Sequence, residues 1–204
     1  IAAAQINALQ QADDSVLMSG VFLDDQADQH VLERRLANWT GYPSAILSQS
    51  GYAANVGLIQ SVVEEGVPVY MDMRAHASLW EGVHSAGAEV KAFRHNDVAH
   101  LRRLMQKHGQ GLLCVDSVYS TMGSVCDLVA MVELAEEFDC LILVDESHSL
   151  GTHGMLGSGM VRELGLTERV HFVTASLAKA FSARAWVILC RKDFADYFWF
   201  TARP

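Results

Sequence analysis

Lys179 lies in Val173-Thr-Ala-Ser176-Leu-Ala-Lys179-Ala-Phe181, with Leu177, Ala178, Ala180 and Phe181 as its neighbours. A surface lysine ordinarily has polar company, so this amine is expected to be poorly solvated. Desolvation disfavours an ammonium ion and frees its lone pair for Schiff-base formation. The plainer reading is a lysine that snorkels from a helix start. Upstream runs Cys140-Leu-Ile-Leu-Val-Asp145-Glu-Ser-His148-Ser-Leu-Gly151-Thr-His-Gly154, a buried strand delivering an acid and an imidazole at its carboxyl end. A carboxylate so placed holds a neighbouring pyridine nitrogen protonated, and a protonated ring is an electron sink. The plainer reading of Asp145 is a helix N-cap or a structural acid. An acid for a ring nitrogen, an imidazole for the ring edge and a lysine for an aldehyde are together what pyridoxal phosphate requires.

Further residues could complete such a site. Ser50-Gly51-Tyr52-Ala-Ala-Asn55 opens a helix directly after a strand. The amides of a helix start attract an anion, and Gly51 lets a phosphate approach the backbone; the plainer reading is a serine N-cap. Ser176, three residues before Lys179, offers a hydroxyl to the same phosphate. His76, in Asp72-Met-Arg-Ala-His76-Ala-Ser78, follows a strand and can stack on a flat ring. His84, His95, His100 and His108 read as residues of polar helix faces. The segment Leu141–His148 also looks like the magnesium-binding strand of a nucleotide hydrolase. That reading needs an upstream G-x-x-x-x-G-K-[ST] phosphate loop, which the chain lacks. A metal site on His148 and His153 has no supporting pair at ligand spacing, so no metal is expected.

Strands are predicted at Ala45–Ser48, Pro68–Asp72, Glu89–Phe93, Leu112–Ser117, Leu141–Asp145, Val170–Thr174 and Trp186–Cys190. Helices are predicted at Tyr52–Glu64, Ser78–Ala86, Val98–Lys107, Leu128–Phe138, Met160–Leu164 and Phe194–Phe200. Strands apolar on both faces and separated by helices imply an α/β fold, a mainly parallel sheet with helices on both faces. Ligands bind such sheets at the carboxyl ends of the strands, where Ser117, Asp145 and Ser176 fall. The 204 residues suffice for a full core, and half are hydrophobic, which argues against disorder. With 24 acids against 15 bases the net charge is −9, so neither nucleic acid nor an anionic membrane is the expected partner. No apolar run approaches the ~18 residues of a membrane helix. Ile1–Asp14 shows no signal peptide, although Ile1 is not an initiator methionine. Cys114, Cys126, Cys140 and Cys190 are scattered and read as reduced packing residues of a cytoplasmic protein.

Five motifs in one order resemble the α-oxoamine synthases, pyridoxal-phosphate enzymes of fold type I. They are Ser50-Gly-Tyr-Ala-Ala-Asn55, His76-Ala-Ser78, Asp116-Ser-Val-Tyr-Ser120, Asp145-Glu-Ser-His148 with Gly151 and Gly154, and Ser176-Leu-Ala-Lys179-Ala. The resemblance runs from about Ser15 to Pro204. Val21–His30, Asp145–Gly154 and Ala195–Pro204 look most like the autoinducer synthases of quorum sensing within that family. The resemblance implies that Lys179 forms the Schiff base and takes the substrate Cα proton, and that Asp145 pairs with the pyridine nitrogen. It places His76 on the ring, and His148 and Ser120 at the phenolic oxygen. Gly51, Tyr52 and Ser176 serve the phosphate and its neighbourhood, beside Ser50. The implied reaction is a decarboxylative condensation of an amino acid, or S-adenosylmethionine, with a medium-chain acyl-CoA to an aminoketone, carried out by a homodimer. Other members, 8-amino-7-oxononanoate synthase or glycine C-acyltransferase, are alternatives, as is a non-catalytic dimerisation or binding fragment. On this resemblance residues 1–44 are an N-terminal helical segment, residues 45–204 are the cofactor-binding large domain, and the C-terminal small domain is absent. The chain departs from the family after the lysine, where glycines give way to Ser182-Ala-Arg-Ala-Trp186; a left-handed turn there would strain an alanine.

Overall fold

The computed structural model describes residues 2–11 and 23–201. Helix α1 (Ala2–Gln11) and helix α2 (Asp28–Thr40) precede strand β1 (Ser44–Ser48). Then strands and helices alternate: α3 (Gly51–Val62), β2 (Pro68–Asp72), α4 (Ala77–Ser85), β3 (Glu89–Phe93), α5 (Val98–His108), β4 (Leu112–Asp116), α6 (Leu128–Glu137) and β5 (Leu141–Asp145). A short helix α7 (Met160–Glu163) follows, then β6 (Phe172–Ser176), β7 (Trp186–Cys190) and α8 (Lys192–Thr201). Val21, Phe22 and residues 202–204 of the quoted motifs fall outside the described residues, as do residues 15–20 of the resemblance.

The seven strands form one sheet in the order β1-β7-β6-β5-β4-β2-β3. The pairs β2–β3, β2–β4, β4–β5 and β5–β6 are parallel. Strand β7 runs antiparallel to both β6 and β1. The connection Leu177–Ala185 explains this, because a parallel crossover needs roughly a dozen residues or more, usually with a helix. Successive strand residues point to opposite faces, and each face has its own core. Leu113, Val115, Ile142 and Val144 pack with Leu101 and Met105 of α5 and Leu128 and Met131 of α6. Leu112, Cys114 and Leu143 pack with Leu58 and Ile59 of α3, Leu79 and Val83 of α4, and Phe198 of α8. Helices therefore cover both faces, as the sequence pattern predicts.

The helix starts are fixed by side chains. Ser50, His76, Asp97 and Asp127 each accept a backbone N–H of the first turn of α3, α4, α5 and α6, which satisfies donors that the helix itself leaves open. All four cysteines are buried and free. Among the described residues no helix is long and apolar enough to cross a membrane.

Candidate active site

Parallel strands β2, β4, β5 and β6 end together, and each carries a polar residue at or just beyond its last position. Asp116 and Asp145 stand opposite each other in register on β4 and β5. Both are almost sealed from water, at 2% and 3% exposure. Ser147 N–H donates to Asp145 Oδ1 at 2.8 Å, and Asn55 Nδ2 reaches Oδ2 at 3.4 Å. Asp116 Oδ1 accepts the His76 N–H at 3.1 Å. Burial and the Asp145 charge push the Asp116 carboxyl well above the usual range.

His76, the N-cap of α4, is oriented through its Nδ1, which lies 2.8 Å from Ser78 Oγ and accepts the Ser78 N–H. That bond leaves Nε2 as the protonated nitrogen of the neutral ring. Ser78 Oγ in turn accepts Asn55 Nδ2 at 2.8 Å. A continuous chain of bonds thus links Asp116, His76, Ser78, Asn55 and Asp145 across two helices and two strands.

These groups border a cavity of about 210 Å³, lined by His76, Asp116, Asp145, Ser147, His148, Ser176, Ala178, Lys179 and Trp186. His148 is half-buried; its imidazole is pushed down first by burial, then by the nearby Lys179 charge, while Asp145 opposes the shift. Ser176 is buried, its N–H donating to Ser147 Oγ at 2.9 Å and its Oγ accepting the Ala178 N–H at 3.3 Å.

The structure therefore brings together His76, Asp145, His148, Ser176 and Lys179. It does not place Ser50, Gly51, Tyr52 or Ser120 on the lining of this cavity. Ser50 acts as the cap of α3, Tyr52 is 54% exposed, and Ser120 sits exposed in the turn between the bridged residues Val118 and Val125. Lys179 corrects one expectation: it is exposed, so its apolar neighbours do not wall it from water. Phe181 turns aside to meet Trp39 edge-on at 5.7 Å. The left-handed residue after the lysine is Ser182 (φ 52°), and neither Ala183 nor Ala185 has positive φ. The strain expected at an alanine falls on the serine instead, at about 1–2 kcal/mol.

Asp116, Ser147, Asn55 and Trp186 are parts of the site that sequence reasoning left without a role. Asp116 and Asn55 stood in quoted motifs, but their place depends on contacts between distant segments. His95, read as a surface residue, bridges Asp72 at 3.0 Å and Ser124 Oγ at 2.8 Å, and lies edge-on to Tyr119 at 4.4 Å. It ties the turn bearing Ser120 to the end of β2. A larger cavity of about 490 Å³, beside Tyr42, His171 and Arg191, gathers none of the predicted site residues. It lies at the opposite edge of the sheet, by the start of β6, so the smaller cavity is the candidate site.

The donor set of that smaller cavity fits pyridoxal phosphate at the ring and the aldehyde. A buried acid, two imidazoles and a lysine surround one space. At the phosphate end the fit is tighter, because the Trp186 ring covers Gly51.

Comparison with known proteins agrees. The chain is 49% identical to the CAI-1 autoinducer synthase of Vibrio campbellii over 201 residues, covering 98% of this chain and 51% of that protein. It is 38% identical to a putative 8-amino-7-oxononanoate synthase of Halalkalibacterium halodurans, covering 81% of this chain and 42% of the relative. Among solved structures it resembles the serine palmitoyltransferase of Sphingomonas wittichii, with a TM-score of 0.91 at 28% identity, over 100% of this chain and 52% of that one. A serine palmitoyltransferase from S. paucimobilis with a bound PLP–myriocin aldimine matches with a TM-score of 0.90, also at 28% identity and over 100% of this chain and 52% of that one. The chain spans about half the length of the relatives it matches. These neighbours are pyridoxal-phosphate-dependent α-oxoamine synthases, the group whose motifs the sequence carries. A family model for class I and II aminotransferases matches residues 6–200, and the chain belongs to that family.

Proposed function

We propose that this chain provides the cofactor-binding large domain of a pyridoxal-phosphate-dependent acyltransferase that makes an aminoketone precursor of a quorum-sensing α-hydroxyketone. Its substrates on this reading are an amino acid, or S-adenosylmethionine, and a medium-chain acyl-CoA, and it works as a cytoplasmic homodimer. The supporting observation is the convergence of Lys179, Asp145, His76 and His148 on one cavity, in a chain 49% identical to a CAI-1 autoinducer synthase.

The cofactor's contribution when bound is an electron sink for charge that develops at the substrate Cα. The chain's residues do the rest. Lys179 Nζ would hold the aldehyde end of the cofactor and, when free, would accept the substrate Cα proton as general base. Asp145, its oxygens fixed by Ser147 and Asn55, would keep a proton on the pyridine nitrogen. His76, held by Ser78 and Asp116, would stack on the ring. His148, with its imidazole biased towards the neutral form by burial and Lys179, would contact the phenolic oxygen, and Ser176 would serve the phosphate. The 38% match to a putative 8-amino-7-oxononanoate synthase supports a second reading with a different amino acid and acyl chain.

Cα-hydrogen exchange in D2O, followed by mass spectrometry across a panel of amino acids, tests the shared first step. The protein supplied with pyridoxal phosphate is expected to exchange its own amino donor. Asp145→Asn is expected to slow exchange by about 10²-fold or more. Undiminished exchange in the variant removes Asp145 from the mechanism. Adding acyl-CoAs of graded length and reading the ketone product by mass then separates the two readings.

A further inference from the structure

Trp186 opens β7, opposite Ser176 on one side and Ser48 on the other. It therefore stands between the two strand ends that flank the first turn of α3. Its indole lies against Gly51 so closely that a Cβ there would overlap the six-membered ring. Gly51 is thus required by the indole, whereas the sequence suggested that it was required by a phosphate. Trp186 also lines the cavity, whereas Ser50, Gly51 and Tyr52 do not. The ring covers Gly51 in the first turn of α3 and at the same time lines the space that Lys179 and Asp145 border. The cavity of about 210 Å³ is smaller than the roughly 300 Å³ at which pockets for small organic ligands begin. Finally, Trp186 Nε1 is buried with no hydrogen-bond partner. No polar bond holds the indole in this position, so rotation off Gly51 gives up only apolar contact.

We propose that Trp186 is the residue that sets the affinity of this site for pyridoxal phosphate, because its indole stands where the phosphate has to reach the α3 amides and must move aside to admit it. This rests on the cofactor reading given above. Binding is then reduced by the fraction of molecules in which the ring is off Gly51. The restriction concerns the phosphate end alone, since Lys179 and Asp145 line the cavity itself and Gly51 does not.

The test is a titration of the whole chain with pyridoxal phosphate and, separately, with pyridoxal, which lacks the phosphate, read by visible absorbance. Trp186→Ala is expected to bind pyridoxal phosphate about tenfold more tightly than the wild type, as for an open state populated about one time in ten. Pyridoxal is expected to gain nothing from the same change. Trp186→Phe retains a ring over Gly51 and is expected to bind as the wild type does. Should the alanine variant fail to fold, Trp186→Leu shortens the side chain and carries the same expectation. Equal affinities in wild type and Trp186→Ala overturn the proposal, as does an equal gain for pyridoxal. A wild type and variants that all fail to bind the cofactor instead overturn the reading of the site on which the proposal rests.

Discussion

Asp116 and Asp145 face each other from neighbouring strand ends, and two buried carboxylates at that separation do not ionise independently. Donors from Ser147 and Asn55 address the Asp145 oxygens, whereas Asp116 receives the His76 N–H. Burial and the Asp145 charge push Asp116 up to about 8. An unfolded aspartate ionises near ~3.9. Between those values the folded chain keeps a proton that the unfolded chain has lost, so this group's contribution to stability falls as pH rises through the window and is constant above it. Asp116→Asn preserves an acceptor for His76 and abolishes the titration. In urea unfolding the variant is expected to gain on the wild type steadily from about pH 4 to about pH 8, at up to about 1.4 kcal/mol per pH unit and so reaching on the order of 5 kcal/mol. A difference that stays constant over the window contradicts the assignment.

At the scale of elements, the next residue along β5's exit does a different job. Glu146 Oε1 accepts the Met160 N–H at 2.6 Å, the Val161 N–H at 3.0 Å and Ser149 Oγ at 3.1 Å. A carboxylate at the start of α7 meets the positive end of the helix, and here it ties the loop after β5 back to the strand. Gly159 permits the approach, with φ 95° and no room for a Cβ beside the Glu146 carboxyl. Glu146→Ala leaves two buried N–H groups without an acceptor and is expected to cost about 2–4 kcal/mol in urea unfolding. A loss below about 0.5 kcal/mol, as for an ordinary surface change, rules out this anchoring role. The sequence showed such elements unevenly. β2, β3, β5 and β7 fall where the apolar runs predict, to the residue. β6 was expected at Val170–Thr174 but occupies Phe172–Ser176, because pairing with β5 and β7 rather than the apolar run sets its limits. β7's reversed direction follows from the short Leu177–Ala185 connection, a signal that periodicity does not carry. Among the site residues, Asp145 and Lys179 were legible because an acid or lysine ending an apolar run is a local pattern. The Asn55–Ser78–His76 chain and the Trp186–Gly51 contact join distant segments and had no local signature.

For the molecule as a whole, a mostly parallel sheet gathers its polar residues at one edge, and the edge is completed by antiparallel β7, which delivers Trp186. The two cores pack against the sheet from both faces and so support the strand ends that carry the acids. The proposal that Lys179 condenses with pyridoxal phosphate is supported by family membership, the 49% identity to an autoinducer synthase and the cavity chemistry. The most direct test of that claim is borohydride reduction of the protein mixed with pyridoxal phosphate, followed by peptide mass mapping. One reduced adduct is expected, carried on Lys179 and absent from Lys179→Ala together with the visible absorbance band. An adduct spread over other lysines, with Lys179 unmodified, or a band that survives Lys179→Ala, would contradict it.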